Sequence, residues 1–136
     1  MIPTEAVRAR LEPDNEILFA FVFGSVARGD ERPDSDLDLA VYVDDRLDAR
    51  QRFELRLRLS AALDDLGRAD VVVLNDAPPL LAHRALSGRM VFARDRRAYV
   101  RFFVRTLAAA EDERHFRAIF ARARQARVRE GRFGRP

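Results

Sequence analysis

Cysteine is missing from this chain, so neither a disulfide framework nor a thiolate metal site is open to it, and a reducing compartment is acceptable. Lysine is missing as well, and all 25 basic residues are arginines. A replacement that complete reads as a genome-wide habit, so arginine clusters carry less information here than they would elsewhere. Against 22 acidic residues they leave a formal charge of +3. Histidine is scarce, with two residues, and His83 has no second histidine nearby. It therefore reads as a surface or half-buried packing residue and not as a metal ligand. No apolar run approaches the roughly 18 residues of a membrane span. Glu5, Arg8 and Arg10 interrupt the opening segment, which leads to the expectation of no signal peptide and of a soluble, cytoplasmic protein. Repeats and long linkers are absent too. The 136 residues are enough for one domain, which would bury about two thirds of its unfolded surface.

What the chain does have is concentrated between Phe19 and Val43. Ile17 to Phe23 is an unbroken apolar run rich in phenylalanine, short enough for a strand buried on both faces, and it stops at Gly24. Glycine there allows backbone N–H groups to approach an anion with no Cβ in the way, and Ser25 adds a hydroxyl donor, so Gly24-Ser25 reads as a phosphate-binding turn. Gly29-Asp30 and Pro33-Asp34 read as further turns, with Asp30, Glu31 and Asp34 in solvated loop. The chain then resumes as a second strand, Leu37 to Val43. Asp36 and Asp38 share one face of it, while Leu37 and Leu39 point to the other. A third acid, Asp70, opens the apolar run Val71 to Leu74, a third buried strand. Two carboxylates aimed together repel unless a cation intervenes, and three oxygen donors form a site for a hard cation, magnesium first. Arg28 has two readings, a phosphate contact or an ion pair with Asp30 and Asp34.

The remaining segments supply packing. Thr4 caps a first helix reaching Leu11, with Ala6, Val7 and Leu11 on its apolar face. Leu55, Leu59, Ala62, Leu63 and Leu66 recur at helical spacing inside a helix expected over Asp44 to Gly67, which leaves Leu57 partly exposed. A strand, helix, strand order from Leu37 to Asn75 implies a crossover between parallel neighbours. The fold class is therefore α/β (α+β), a small mixed sheet flanked by helices. Pro78-Pro79 opens a short helix ended by Ser87-Gly88, and Met90 to Phe92 adds an edge strand. From Asp95 a stripe of Tyr99, Phe102, Phe103, Thr106, Leu107 and Ala110 packs a helix on the sheet. At Glu111-Asp112-Glu113 the apolar phase changes to Phe116, Ile119, Phe120 and Ala123, which implies a break, a bend or two helices. That second face either folds back or binds another protein. The expected division is a domain over 1–110 and a C-terminal helical extension with an Arg-rich tail over 111–136. The tail is either disordered or a nucleic-acid arm.

The pattern Phe23-Gly24-Ser25, then Asp36-Leu37-Asp38-Leu39, with Asp70 as a later acid, resembles the nucleotidyltransferase superfamily of the DNA polymerase β type. More narrowly, Gly24 to Asp30 followed by Ser35 to Leu39 is similar to the minimal nucleotidyltransferases encoded beside HEPN-domain ribonuclease toxins. The likeness runs on through Ala69-Asp70 and Pro78 to Leu81 as far as Arg94-Asp95. The resemblance implies the polymerase β-type fold and transfer of AMP from ATP to a protein hydroxyl, a tyrosine of a HEPN toxin, by an enzyme acting as the antitoxin. It further implies two magnesium ions held by Asp36, Asp38 and Asp70, with Asp70 nearest the acceptor, and β- and γ-phosphates held by Gly24 and Ser25 with Arg28 beside them. Two alternatives remain: an antitoxin that neutralises a HEPN toxin by occlusion, and a nucleotidyltransferase acting on a small molecule such as an antibiotic. A third reading, a nucleic-acid binder working through the tail, rests on the arginines alone. Neither the base preference nor a homo-oligomeric state is legible.

Overall fold

A computed structural model of the chain describes residues 4–24 and 37–129. Helix α1 (Thr4–Leu11) leads into β1 (Ile17–Phe23), and β2 (Leu37–Val43) follows. Next come α2 (Ala49–Ala62), a 3-10 turn at Asp64–Leu66, and β3 (Ala69–Val73). A second 3-10 turn at Leu74–Asp76 precedes α3 (Pro79–Leu86), β4 (Arg89–Ala93) and the long α4 (Arg96–Arg129). The strands form one mixed sheet in the order β3-β2-β1-β4, with β2 and β3 parallel and the other pairs antiparallel. The expected small mixed sheet, its parallel crossover and its brief fourth edge strand are all present.

Both faces of the sheet are covered, which is why β1 and β2 read as continuous apolar runs and not as alternating ones. One face packs Ala20, Val22, Leu39 and Val41 under Val7 and Leu11 of α1 and Leu55 and Leu59 of α2. The other is aromatic. Phe19 stacks on Tyr42 with ring centroids 4.9 Å apart and planes 2° from parallel, and Phe102 and Tyr99 of α4 close over them. Ala82, Ala85 and Leu86 of α3 complete this layer. Aromatic pairs in such offset and edge-on arrangements add about 0.5 to 1.5 kcal/mol each beyond the area they bury. Burial and a hydrogen bond donated to Asp45 (2.8 Å) raise the Tyr42 pKa, keeping the phenol neutral.

Three expectations need correction. The helix placed over Asp44 to Gly67 begins only at Ala49, because Asp48 forms a capping box with Gln51: each backbone N–H donates to the other's side chain at 2.8 Å. Asp44 instead accepts from the Arg46 backbone N–H (3.0 Å) in a local turn. At the other end the helix stops at Ala62, and Gly67 (φ +125°) turns the chain into β3. Second, the break or pair of helices expected at Glu111-Asp112-Glu113 does not occur, since α4 is one helix of 34 residues. Acidic residues do not break helices, and Glu113 accepts from Arg117 one turn on at 2.8 Å. The change of phase moves the apolar stripe to another side of the same rod. Third, Arg122 to Arg129 of the expected tail are helical. The second apolar face does not fold back: Phe116, Ile119 and Phe120 are 60%, 49% and 54% exposed. Leu107, expected in the first stripe, is also exposed, and Ala98 takes a buried place there beside Phe102, Thr106 and Ala110. Leu57 is exposed as expected. His83 is half-buried on α3 and lies 3.3 Å from an Arg114 nitrogen. Among the described residues no helix is long and apolar enough to cross a membrane.

Candidate active site

The site is set by register. Phe23, the last residue of β1, lies opposite Asp38 on β2, and Asp38 lies opposite Asp70 on β3. Paired residues on neighbouring strands are about 4.8 Å apart and project to the same face, so the two carboxylates stand side by side at one end of the sheet. Asp38 is half-buried and Asp70 is exposed. At that separation two negative charges oppose each other by about 1 to 3 kcal/mol, depending on how much water screens them.

Gly24 also has a steric role at this corner. It turns the chain out of β1 with φ +73°, a conformation that residues with a side chain rarely adopt, and a Cβ built there would overlap the Asp38 carboxylate. The glycine thus allows the turn and the acid to occupy the same corner. Gly88 is a second close approach. Its Cβ would overlap the Val22 carbonyl and come within 2.8 Å of the Phe23 Cβ, so the turn from α3 into β4 presses on the end of β1 beneath the site. Reading Ser87-Gly88 only as a helix stop missed this role, since nothing in the local sequence shows what the glycine faces.

Ser25, Arg28 and Asp36 lie outside the described residues, as do Asp30, Glu31 and Asp34. Of the expected site residues the structure therefore brings together Gly24, Asp38 and Asp70. Among the described residues there is no cluster of three or more side chains able to hold a metal ion. Sequence reasoning also missed a groove of about 410 Å³ that starts at Asp70 and runs along the outer edge of β3. Phe53 and Arg56 of α2 form one wall, with the guanidinium 5.3 Å from the ring centroid, and Pro78 and Leu81 form the other. Arg52, beside Phe53, donates to Asp76 at 2.9 Å.

This corner, a positive-φ glycine against the first of two aligned aspartates, falls inside residues 5–97, which match the family model described as polymerase beta, nucleotidyltransferase. The chain belongs to that family. Among curated proteins this nucleotidyltransferase is similar to protein adenylyltransferase MntA of Shewanella oneidensis strain MR-1, with 36% identity over 67 residues. That match takes in 49% of this chain and 47% of MntA, so it spans about half the length of the curated relative. Its fold is also that of a chain in a crystal structure of a toxin-antitoxin with AMP-PNP, at 28% identity and a TM-score of 0.62 over 93% of this chain and 96% of the other. A chain from a mutant of the toxin-antitoxin MntA-HpeT gives 26% identity and a TM-score of 0.64, covering 96% and 98%. These likenesses extend past the family match into α4.

Proposed function

We propose that this nucleotidyltransferase transfers AMP from ATP to a hydroxyl on a protein, a tyrosine of a HEPN-domain ribonuclease toxin, and so acts as that toxin's antitoxin in the cytoplasm. The observation that carries the reading is the alignment of Asp38 with Asp70 beside Gly24 at one end of the sheet. The name of MntA, a protein adenylyltransferase, and the AMP-PNP in the similar toxin-antitoxin structure support AMP transfer and a toxin as its acceptor.

The donors suit magnesium, since Asp38 and Asp70 offer adjacent carboxylate oxygens and no sulfur or imidazole competes. Asp36, two residues before Asp38 in the sequence, is assigned the third carboxylate of the set that would hold the ions. When bound there, magnesium neutralises triphosphate charge and lowers the pKa of the attacking hydroxyl. The chain's own residues do the rest. Backbone N–H groups at Gly24 and the Ser25 hydroxyl are assigned to orient the β- and γ-phosphates, with Arg28 assigned to the same charge. Asp70 receives the acceptor's proton as the hydroxyl oxygen bonds to the α-phosphorus. The bond from that phosphorus to the bridging oxygen breaks, and pyrophosphate leaves.

The exposed Phe116, Ile119 and Phe120 favour a second reading, in which the extension over 111–136 holds the toxin and neutralises it by occlusion. One experiment separates the two. The protein is incubated with labelled ATP, magnesium and a HEPN-domain ribonuclease toxin, and compared with Asp36→Ala and Asp38→Ala. The proposal expects label on the toxin from the wild type, none from either variant, and loss of neutralisation with it. Neutralisation that survives both substitutions would replace catalysis with occlusion.

A further inference from the structure

We propose that the outer edge of β3 is the acceptor subsite, and that it takes the acceptor as an extended segment paired to β3 as an added strand. The inference rests on the AMP-transfer reading above and specifies how the protein substrate is held.

The argument is one of backbone direction. The Leu37 amide donates to the Arg68 carbonyl at 2.7 Å, so Arg68 turns its backbone groups toward β2. Along a strand that direction alternates, which sends the amides and carbonyls of Ala69, Val71 and Val73 outward, away from β2. After Val73 the Asn75 side chain takes over on the β2 side, accepting from the Val43 amide at 3.0 Å and donating to its carbonyl at 2.9 Å. Among the described residues no strand covers the outer edge, since β3 ends the sheet. Nor is the edge guarded in the usual way. Its sequence, Ala69-Asp70-Val71-Val72-Val73, contains no proline, and its one charge is the catalytic acid.

The groove fits such a guest. It runs the length of β3 from Asp70, and Phe53, 52% exposed under the Arg56 guanidinium, offers an apolar platform along one side. A residue paired opposite Asp70 would continue the row Asp38, Asp70, acceptor at one strand spacing, about 4.8 Å, with its side chain on the face that carries both acids. A tyrosine placed there has its hydroxyl within reach of Asp70. Main-chain pairing would supply affinity, and position along the strand would decide which residue receives AMP.

The test uses the full-length protein, labelled ATP with magnesium, and short synthetic peptides each carrying one central tyrosine. Val73→Pro removes an outward amide at a residue whose φ of −89° is near what proline adopts, and Phe53→Glu alters the exposed wall. Each should raise the KM for peptide labelling about tenfold, the worth of one hydrogen bond or contact, with ATP affinity close to wild type; the thermal midpoint should hold for the exposed Phe53 and fall for Val73, whose side chain packs in the core. N-methylation scanned along the best-labelled peptide should abolish labelling at every second amide. Unchanged KM in both variants, or a scan without that alternation, would overturn the strand-addition mode. Peptides left unlabelled by a wild type that binds ATP would overturn it equally. A wild type that binds no ATP would instead remove the proposed function itself.

Discussion

Asp70→Asn is expected to leave the protein folded and nearly inactive. The substitution keeps the backbone ladder with β2 and the side-chain volume, and Asp70 is exposed, so the unfolding free energy without metal should stay within about 0.5 kcal/mol of wild type or rise as the repulsion from Asp38 is relieved. Activity should move the other way. A group that holds charge or takes a proton only as the transition state forms is worth about a hundredfold to a thousandfold in rate, and the initial rate of AMP transfer should fall by that amount. Addition of magnesium with ATP should stabilise the wild type more than the variant, because the variant lacks a carboxylate that the proposal assigns to the metal. A variant of equal stability and full activity would remove Asp70 from the chemistry.

Gly24→Ala should damage fold and site together. Alanine at φ +73° is strained by about 1 to 2 kcal/mol, which urea unfolding would register as a lower midpoint with an unchanged slope. The methyl group must also displace the Asp38 carboxylate, whose position it would share. A shift of about 1 Å in a reacting group commonly costs about a hundredfold, so AMP transfer should drop by that factor, more than the stability loss alone would explain. Transfer that stays within a few-fold of wild type would show that Asp38 has room to move.

These two substitutions mark what was readable in the chain and what was not. Strands β1 and β2 were legible to the residue because burial on both faces leaves unbroken apolar runs that end at Gly24 and begin beside Asp38. The later acid was legible as the opening of a valine run. What no local pattern contains is the alignment of Asp38 with Asp70, since residues 32 positions apart are brought level only by the length and packing of the α2 crossover. The start of α2 was misjudged although its signal was present: Asp48 and Gln51 have the spacing of a capping box, and leucine periodicity drew attention away from it. The continuity of α4 was misjudged for a different reason. An apolar stripe that changes side reports a change of neighbour and not an end of the helix, and past Ala110 there is no sheet left to cover. That β3 ends the sheet among the described residues was invisible because strand order is a property of the whole sheet.

The most direct measurement is anomalous diffraction from manganese, used in place of magnesium, in crystals grown with a non-hydrolysable ATP analogue. The account predicts metal peaks within coordination distance of carboxylate oxygens of Asp36, Asp38 and Asp70, with the triphosphate lying along Gly24 and Ser25. Nucleotide bound elsewhere, or metal held without contact to either Asp38 or Asp70, would contradict it.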